Sequence, residues 1–229
     1  GSFVGQRFQD SDLYKWLEAV AYSLQTHPDP SLMRRADEAI TLIGQAQQPD
    51  GYVDTYIQLN GLTPWTDTAR AHEMYCAGHM IEAAVAYHQA TGNDNLLLIA
   101  RRFADHIDSV FGDDPGKKRG YPGHQEIELA LYKLFRETGE ERYLKLAKFF
   151  LDTRGEQPYY YDLEQDARTI RGDAPIDYFR NQGVMPFSYQ QAHLPVREQT
   201  EAVGHAVRVV YMAAGMADVG GECDRSLLD

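Results

Sequence analysis

Cysteine is nearly absent from this chain. Cys76 and Cys223 are the two in 229 residues, too few for a disulfide framework, and the scarcity fits a reducing, cytoplasmic setting. Long apolar runs are missing too. No stretch approaches the roughly 18 residues that a membrane-spanning helix needs, so no transmembrane helix is expected. The opening Gly-Ser-Phe-Val-Gly-Gln-Arg-Phe-Gln-Asp has neither the basic nor the apolar region of a secretory signal, and it lacks an initiator Met. Positive charge is scarce: 22 Lys and Arg stand against 34 Asp and Glu, a formal net charge of −12. Nonspecific binding of nucleic acid through phosphate contacts is thereby disfavoured. What remains is a globular composition, 43% hydrophobic and 24% charged, with enough chain for one sizeable core. Its 15 Tyr and 9 Phe suit neutral ligands such as sugars better than polyanions.

The residues from Ala71 to Thr91 carry the clearest pattern. Met74, Ala77, Ile81, Ala84 and Val85 recur three and four apart, the period of a helix with a packed stripe, and Gly92 stops it. The first two turns are unusual for a structural helix. His72, Cys76 and His79 stand along one side, with Glu73 and Tyr75 between them and Gly78 where Ala would favour a helix by about 1 kcal/mol. Small residues mixed with titratable ones predict a face that lines a cavity.

Further helices are expected on both sides. Asp10-Ser11-Asp12 caps one to about Gln25, with Leu13, Trp16, Leu17, Val20, Ala21 and Leu24 inward; Ser31 caps a second to about Gln48. Val53–Leu59 reads as irregular or extended. Helices follow over Asp94–Val110, from Gln125 to Thr138, and over Glu140–Asp152. Residues 153–195 have no clean period and predict a long functional or partner-binding loop. The last helix is expected over Val196–Val219, with Val203, Ala206, Val207, Val210 and Ala214 inward. Thr91-Gly92-Asn93-Asp94 recurs as Thr138-Gly139-Glu140-Glu141, 47 residues on, which points to repeated helical hairpins in a solenoid or closed toroid.

Three histidines follow a glycine: Gly78-His79, Gly123-His124 and Gly204-His205. A glycine there lets backbone or ligand approach closely. His79, His124 and His205 are therefore the candidate binding residues, with His72 and His193 as supporting or surface groups. A zinc site from His72, Cys76 and His79 lacks a fourth ligand nearby, and Cys76 reads as a small packed hydrophobe rather than a nucleophile. Glu73, Glu126, Glu198 and Glu201 adjoin the histidines, whereas Glu82, Glu128 and Glu137 read as solvated helix residues. Sequence alone does not decide which carboxylates face a pocket.

Several strings are familiar together. Asp10-Ser-Asp-Leu-Tyr-Lys-Trp-Leu-Glu-Ala19, Ala46-Gln-Gln-Pro-Asp-Gly-Tyr52 and His72-Glu-Met-Tyr-Cys-Ala-Gly-His79 come first. Phe103-Ala-Asp-His-Ile-Asp108, Gly120-Tyr-Pro-Gly-His-Gln-Glu-Ile-Glu-Leu-Ala130 and Glu201-Ala-Val-Gly-His-Ala-Val-Arg208 follow. In this order they resemble the N-terminal part of glycoside hydrolase family 127, the β-L-arabinofuranosidases once grouped as DUF1680. The resemblance implies an all-α fold, an (α/α)6-barrel toroid of helical hairpins, of which residues 1–229 supply an incomplete portion. It implies retaining hydrolysis of β-L-arabinofuranosides, with a cysteine thiolate nucleophile held in a zinc site of one Glu and three Cys, and a Glu as acid/base. Zinc would keep such a thiol deprotonated. On the same resemblance, His79, His124 and His205 line the sugar pocket.

The acid/base Glu and the zinc ligands of the family have no counterpart in the matching strings. Neither Cys76 nor Cys223 takes a zinc or nucleophile role, so a truncated, inactive chain that provides pocket walls is expected. Two rivals remain open. A sugar epimerase or isomerase on the same toroid would use paired histidines as acid and base. A noncatalytic helical-repeat binding protein would need no chemistry. A partial barrel should also expose apolar helix faces and tend to self-associate.

Overall fold

A computed structural model describes residues 4–172 and 187–228, and its regular elements are helices. In order they are α1 (Asp10–Thr26), α2 (Pro30–Ala46), α3 (Thr55–Leu59), α4 (Glu73–Thr91), α5 (Asn95–Val110), α6 (Ile127–Thr138), α7 (Glu141–Thr153), α8 (Tyr160–Arg171) and α9 (Ala206–Glu222). Short 3-10 turns lie at Phe187–Gln190, Val196–Glu198 and Arg225–Leu227. No helix among the described residues is long and apolar enough to cross a membrane.

The 47-residue repeat is a repeat of helix ends. Gly92 and Gly139 sit in the left-handed region at φ 73° and 72°, where a side chain is disfavoured. Each donates its N–H to a carbonyl four residues back, His88 and Phe135, at 2.7 Å. The preceding Thr91 and Thr138 donate their hydroxyls to Tyr87 and Leu134 carbonyls, again at 2.7 Å. The repeat thus marks two equivalent hairpins, α4 with α5 and α6 with α7.

Other helix ends depart from the sequence reading. Asp29, not Ser31, caps α2, accepting from Ser31 N at 2.8 Å and Leu32 N at 3.1 Å, with Pro30 at the first helical position. Asp10 does not cap α1. Its carboxylate reaches across to Thr55 N and Oγ1 at 2.7 and 2.5 Å, pinning the loop from which α3 starts. That segment is helical because the buried Asp54 caps it, accepting from Ile57 N at 2.9 Å. Helix α8 occupies part of the region expected to lack structure, and residues 173–186 of that region lie outside the described set. Helix α9 starts at Ala206 rather than Val196, because Gly204 holds φ at 77° beside the Ser188 carbonyl and interrupts any earlier start.

Helices α1, α4, α6 and α9 pack side by side as an inner row, and α2, α5 and α7 back them as an outer row. This is an arc of a toroid built from helical hairpins. Position in the arc explains the burial patterns. Helix α4, held between α1, α5 and α6, buries nearly its whole circumference, Glu73 and Glu82 included, so its single predicted stripe is too narrow. The end helices are different. On α1, Leu13 and Trp16 are exposed, against the expectation that they face inward. On α9, Ala206, Val207, Val210 and Ala214 are exposed, and Arg208, Met212, Gly215, Val219 and Gly220 are buried instead. Both helices are apolar on two faces, and periodicity selects the wrong one on α9.

Candidate functional site

The inner helices present their N-terminal ends to one shared cavity of about 230 Å³. Arg7 and Phe8 reach it from just ahead of α1. His72 and Tyr75 come from the start of α4, His124 from the approach to α6, and His205 and Arg208 from the start of α9; Tyr189 closes the wall from its 3-10 turn. Partial positive charge collects at helix N-termini, so this mouth disfavours a further cation.

The histidines are held by backbone. His72, in the left-handed region at φ 67°, places Nδ1 2.7 Å from the Arg70 carbonyl. His124 places Nδ1 2.8 Å from the Gln125 carbonyl. A carbonyl can only accept, so Nδ1 carries the proton in both rings and Nε2 is left as an acceptor. Burial pushes His72 down to about 3 and His124 down to about 2. Burial, with Arg208 beside it, lowers His205 as well. At neutral pH the cavity therefore holds uncharged imidazoles. The ring centroids of His72 and His124, and of His124 and His205, stand 5.8 Å apart.

Arg208 supplies the complementary donors. It is 5% exposed, and its Nε and Nη1 have no hydrogen-bond partner among the described residues. Its guanidinium lies over the Tyr189 ring at 4.8 Å. Phe8, Tyr75 and Tyr189 add aromatic surface. Neutral acceptors, an arginine donor and aromatic walls are groups that can pair with the hydroxyls and C–H faces of a small polyhydroxylated molecule. A larger cleft of about 570 Å³ between Gln48 and Pro64 gathers no comparable set of groups.

Two of the three Gly-His histidines, His124 and His205, reach this cavity. His79 does not line it. It sits in the second turn of α4 behind Tyr75, whose ring meets those of His79 and His124 at 4.5 Å each. The position on α4 that matches His124 and His205 is His72, which is a wall residue and not a surface group. His72, His124 and His205 share a position just ahead of or at a helix start, which His79 does not. Each glycine serves packing: a Cβ on Gly78, Gly123 or Gly204 would lie 2.5 Å from Glu126 Cγ, 2.1 Å from Ala69 O or 2.1 Å from Ser188 O. Tyr75 lies on the α4 face that the sequence predicts to line a cavity, whereas sequence reasoning passed over Arg7, Phe8, Tyr189 and Arg208. His193 is half-buried away from the cavity.

The carboxylates sort by burial. Glu73 accepts from Tyr52 Oη at 2.6 Å and from Trp65 N at 3.0 Å, and burial raises it to about 7. Glu198 and Glu201 are exposed. Glu82 and Glu128 are buried rather than solvated. Glu128 pairs with Arg154 at 3.2 Å inside the core, while Glu82 joins Glu126 around His79. Glu137 is half-buried and accepts from Gln89.

Neither cysteine approaches the thiolate set implied by the resemblance. Cys76 is buried with its thiol pushed well up by desolvation, and Cys223 is exposed just beyond α9. Thiols so placed do not fit a Glu and three-Cys zinc centre, and no step is assigned to one here. Among the described residues the compact donor cluster is His79, Glu82 and Glu126, which holds no sulfur.

The comparisons with known proteins agree with this architecture. The family profile described as beta-L-arabinofuranosidase, GH127 catalytic domain, matches residues 2–227. A non-reducing end beta-L-arabinofuranosidase of Bifidobacterium longum subsp. longum is 48% identical over 99% of this chain and 35% of its own length. The crystal structure of a GH127 beta-L-arabinofuranosidase from Geobacillus stearothermophilus superposes with a TM-score of 0.91 at 52% identity, covering 99% of this chain and 35% of that one. A further GH127 beta-arabinofuranosidase matches with a TM-score of 0.82 at 41% identity, over 100% of this chain and 33% of its own. The chain spans about a third of the length of these relatives. It belongs to the GH127 catalytic-domain family.

Proposed function

We propose that this chain forms one wall of the substrate site of a retaining glycoside hydrolase acting on β-L-arabinofuranosides. The observation that carries the reading is the meeting of His72, His124, His205 and Arg208 around one 230 Å³ cavity in a chain of this family. In this role His72 and His124 accept from sugar hydroxyls through Nε2, and Arg208 donates to ring or hydroxyl oxygens. His205 adds a further polar edge. His79 supports the wall through Tyr75. The nucleophile and the acid/base are supplied by groups other than the described residues, as is the zinc centre that the resemblance implies.

The epimerase reading requires an imidazole that gives and takes protons near neutral pH. Imidazoles held down to about 3 and about 2 do not serve as acids there. The noncatalytic binding reading shares the same cavity, and family membership favours the hydrolase.

The test is titration of the 229-residue chain with a nonhydrolysable aryl β-L-arabinofuranoside analogue, followed by NMR. Expected is saturable binding that weakens about tenfold or more in His124→Ala and in Arg208→Ala, as for hydrogen bonds worth ~1–3 kcal/mol. Binding unaffected by both substitutions would overturn the site. Turnover of an aryl β-L-arabinofuranoside by the chain alone would overturn the assignment of chemistry to other groups.

A further inference from the structure

One buried cluster stands behind the cavity wall, against the lining Tyr75. His79 Nδ1 lies 3.3 Å from Glu126 Oε1 and 3.9 Å from Glu82 Oε2, and the other Glu82 oxygen accepts from the Lys133 ammonium. His79, Glu82 and Glu126 are all buried, between α4 and the start of α6. Gly78 makes this possible, since a Cβ there would meet Glu126 Cγ at 2.5 Å.

Proton counting settles how such a cluster is held. Neither Glu126 oxygen has a donor within hydrogen-bond geometry among the described residues, and neither ring nitrogen of His79 has a partner. Two ionised carboxylates facing one ammonium would leave a buried excess of negative charge and a carboxylate with no donor. One proton on Glu126 removes both faults. Its O–H then points to Glu82, which Lys133 keeps ionised, and its Oε1 is left as the carboxyl oxygen that faces His79 Nδ1 at 3.3 Å.

We propose that Glu126, Glu82 and Lys133 are positioning residues that fix His79 as the neutral Nδ1–H tautomer, with Nε2 left as an acceptor. The backbone carbonyls at Arg70 and Gln125 impose the same state on His72 and His124, so one tautomer is set three times by three different devices. Burial and the facing Glu82 hold Glu126 up at about 11, and burial with Lys15 nearby holds His79 down at about 4. The consequence for the cavity runs through Tyr75, which packs edge-on against the fixed His79 ring and at a tilt of 55° against His124. This last step rests on the sugar-site reading. The protonation state does not.

The surroundings that a titration samples are Lys15 and Glu18 on α1, Tyr75 on α4, Glu128 and Lys133 on α6, and Tyr211 and Asp218 on α9. The experiment is long-range proton–nitrogen NMR of the uniformly labelled 229-residue chain, with His79 assigned through its backbone correlations. Near neutral pH the unmodified chain should show His79 protonated at Nδ1 alone. An imidazolium, or a proton on Nε2, overturns the proposal without recourse to any variant. Glu126→Gln should keep the signature, because an amide carbonyl still faces Nδ1 and the amide NH2 donates to Glu82. Glu126→Leu should release the ring to a mixture of tautomers. If Glu126→Gln shifts the tautomer as far as Glu126→Leu does, Glu126 is ionised and the proposal fails. Zinc or manganese chloride added to the unmodified chain should leave the His79 signals in place; displacement that disappears in Glu126→Gln would make this a cation site instead. Loss of arabinofuranoside binding with an intact His79 signature counts against the sugar reading and leaves this inference standing.

Discussion

Helices α4 and α9 hold equivalent places in the inner row and start at the same cavity, yet their surroundings differ almost completely. α4 is enclosed by α1, α5 and α6, and buries residues all round, even its acids. α9 packs on α6 and α7 and leaves Ala206, Val207, Val210, Ala213, Ala214 and Ala217 open to solvent. Both sequences are rich in small apolar residues. Composition therefore reports how many neighbours a helix is built to have, and the structure reports how many are present here. The same type of residue should matter greatly on one helix and hardly at all on the other.

Truncation of a core side chain is the largest contrast. Met80 on α4 is fully buried, so Met80→Ala should cost about 2–5 kcal/mol through lost transfer energy and a residual cavity. Val210 on α9 is 66% exposed, and Val210→Ala should change stability by no more than about 0.5 kcal/mol. Urea unfolding of both variants checks this. Similar losses at the two sites would mean that the α9 face is covered in solution.

The buried acid at the start of α4 and the buried histidines give the next contrast. Glu73 opens α4 from a buried position and is held up at about 7, mainly by desolvation. In the folded chain it therefore binds a proton that the unfolded chain releases near the ordinary carboxylate value. Its contribution is present at acidic pH and is lost as pH rises through about 7, a change on the order of 3 kcal/mol. The buried histidines slope the other way. His72 and His124, held low, gain stability as pH rises towards the ordinary imidazole range. Glu73→Gln isolates the carboxyl: the stability difference between variant and parent should grow in the variant's favour from about pH 5 to pH 8. A difference independent of pH would show Glu73 to be ionised throughout.

How much of this was legible beforehand follows the same division. The hairpin repeat was readable because Thr-Gly is a local device: a hydroxyl back-bond and a left-handed glycine, both encoded within two residues. The family strings were readable for a similar reason. His72 was placed on a cavity-lining face but not among the binding residues, because its role depends on standing at a helix start, as His124 and His205 do, while the eye follows the Gly-His pair. Arg208 was missed because a lone arginine in an apolar helix gives no signal until its neighbours are known. Glu82 and Glu128 were assigned to solvent because charge normally goes there. Only the packing of α4 against α6, and the reach of Arg154, put them inside. The inward face of α9 could not be chosen from a helix that is apolar on two sides.

Glycine gives a contrast of opposite sign. Gly78 on α4 lies against Glu126 and the Ile127 nitrogen, so Gly78→Ala should destabilise by about 1–3 kcal/mol despite the better helix propensity of alanine. It should also disturb the His79 tautomer, since Glu126 must move. At Gly221, near the end of α9, an added Cβ would meet nothing within 4 Å. Gly221→Ala should therefore stabilise by about 0.5–1 kcal/mol. Thermal unfolding of the pair suffices, and two shifts of the same sign would break the contrast.

The smallest effect on stability tests what the open face does. Val207 and Val210 lie one turn apart on α9 and are 48% and 66% exposed, while Trp16 on α1 at the other end of the row is 39% exposed. Apolar stripes at both ends of an arc promote association between chains, since each end can bury surface on another copy. Val210→Lys should alter unfolding by no more than about 0.5 kcal/mol, because the side chain has little to lose. It should nevertheless reduce self-association in sedimentation velocity at high concentration, by placing charge in the middle of the stripe. A parent chain that is monodisperse and monomeric at every concentration would remove the reason for the substitution. A variant that associates as strongly as the parent would move the contact off α9, leaving the Leu13 and Trp16 stripe of α1 as the next face to charge.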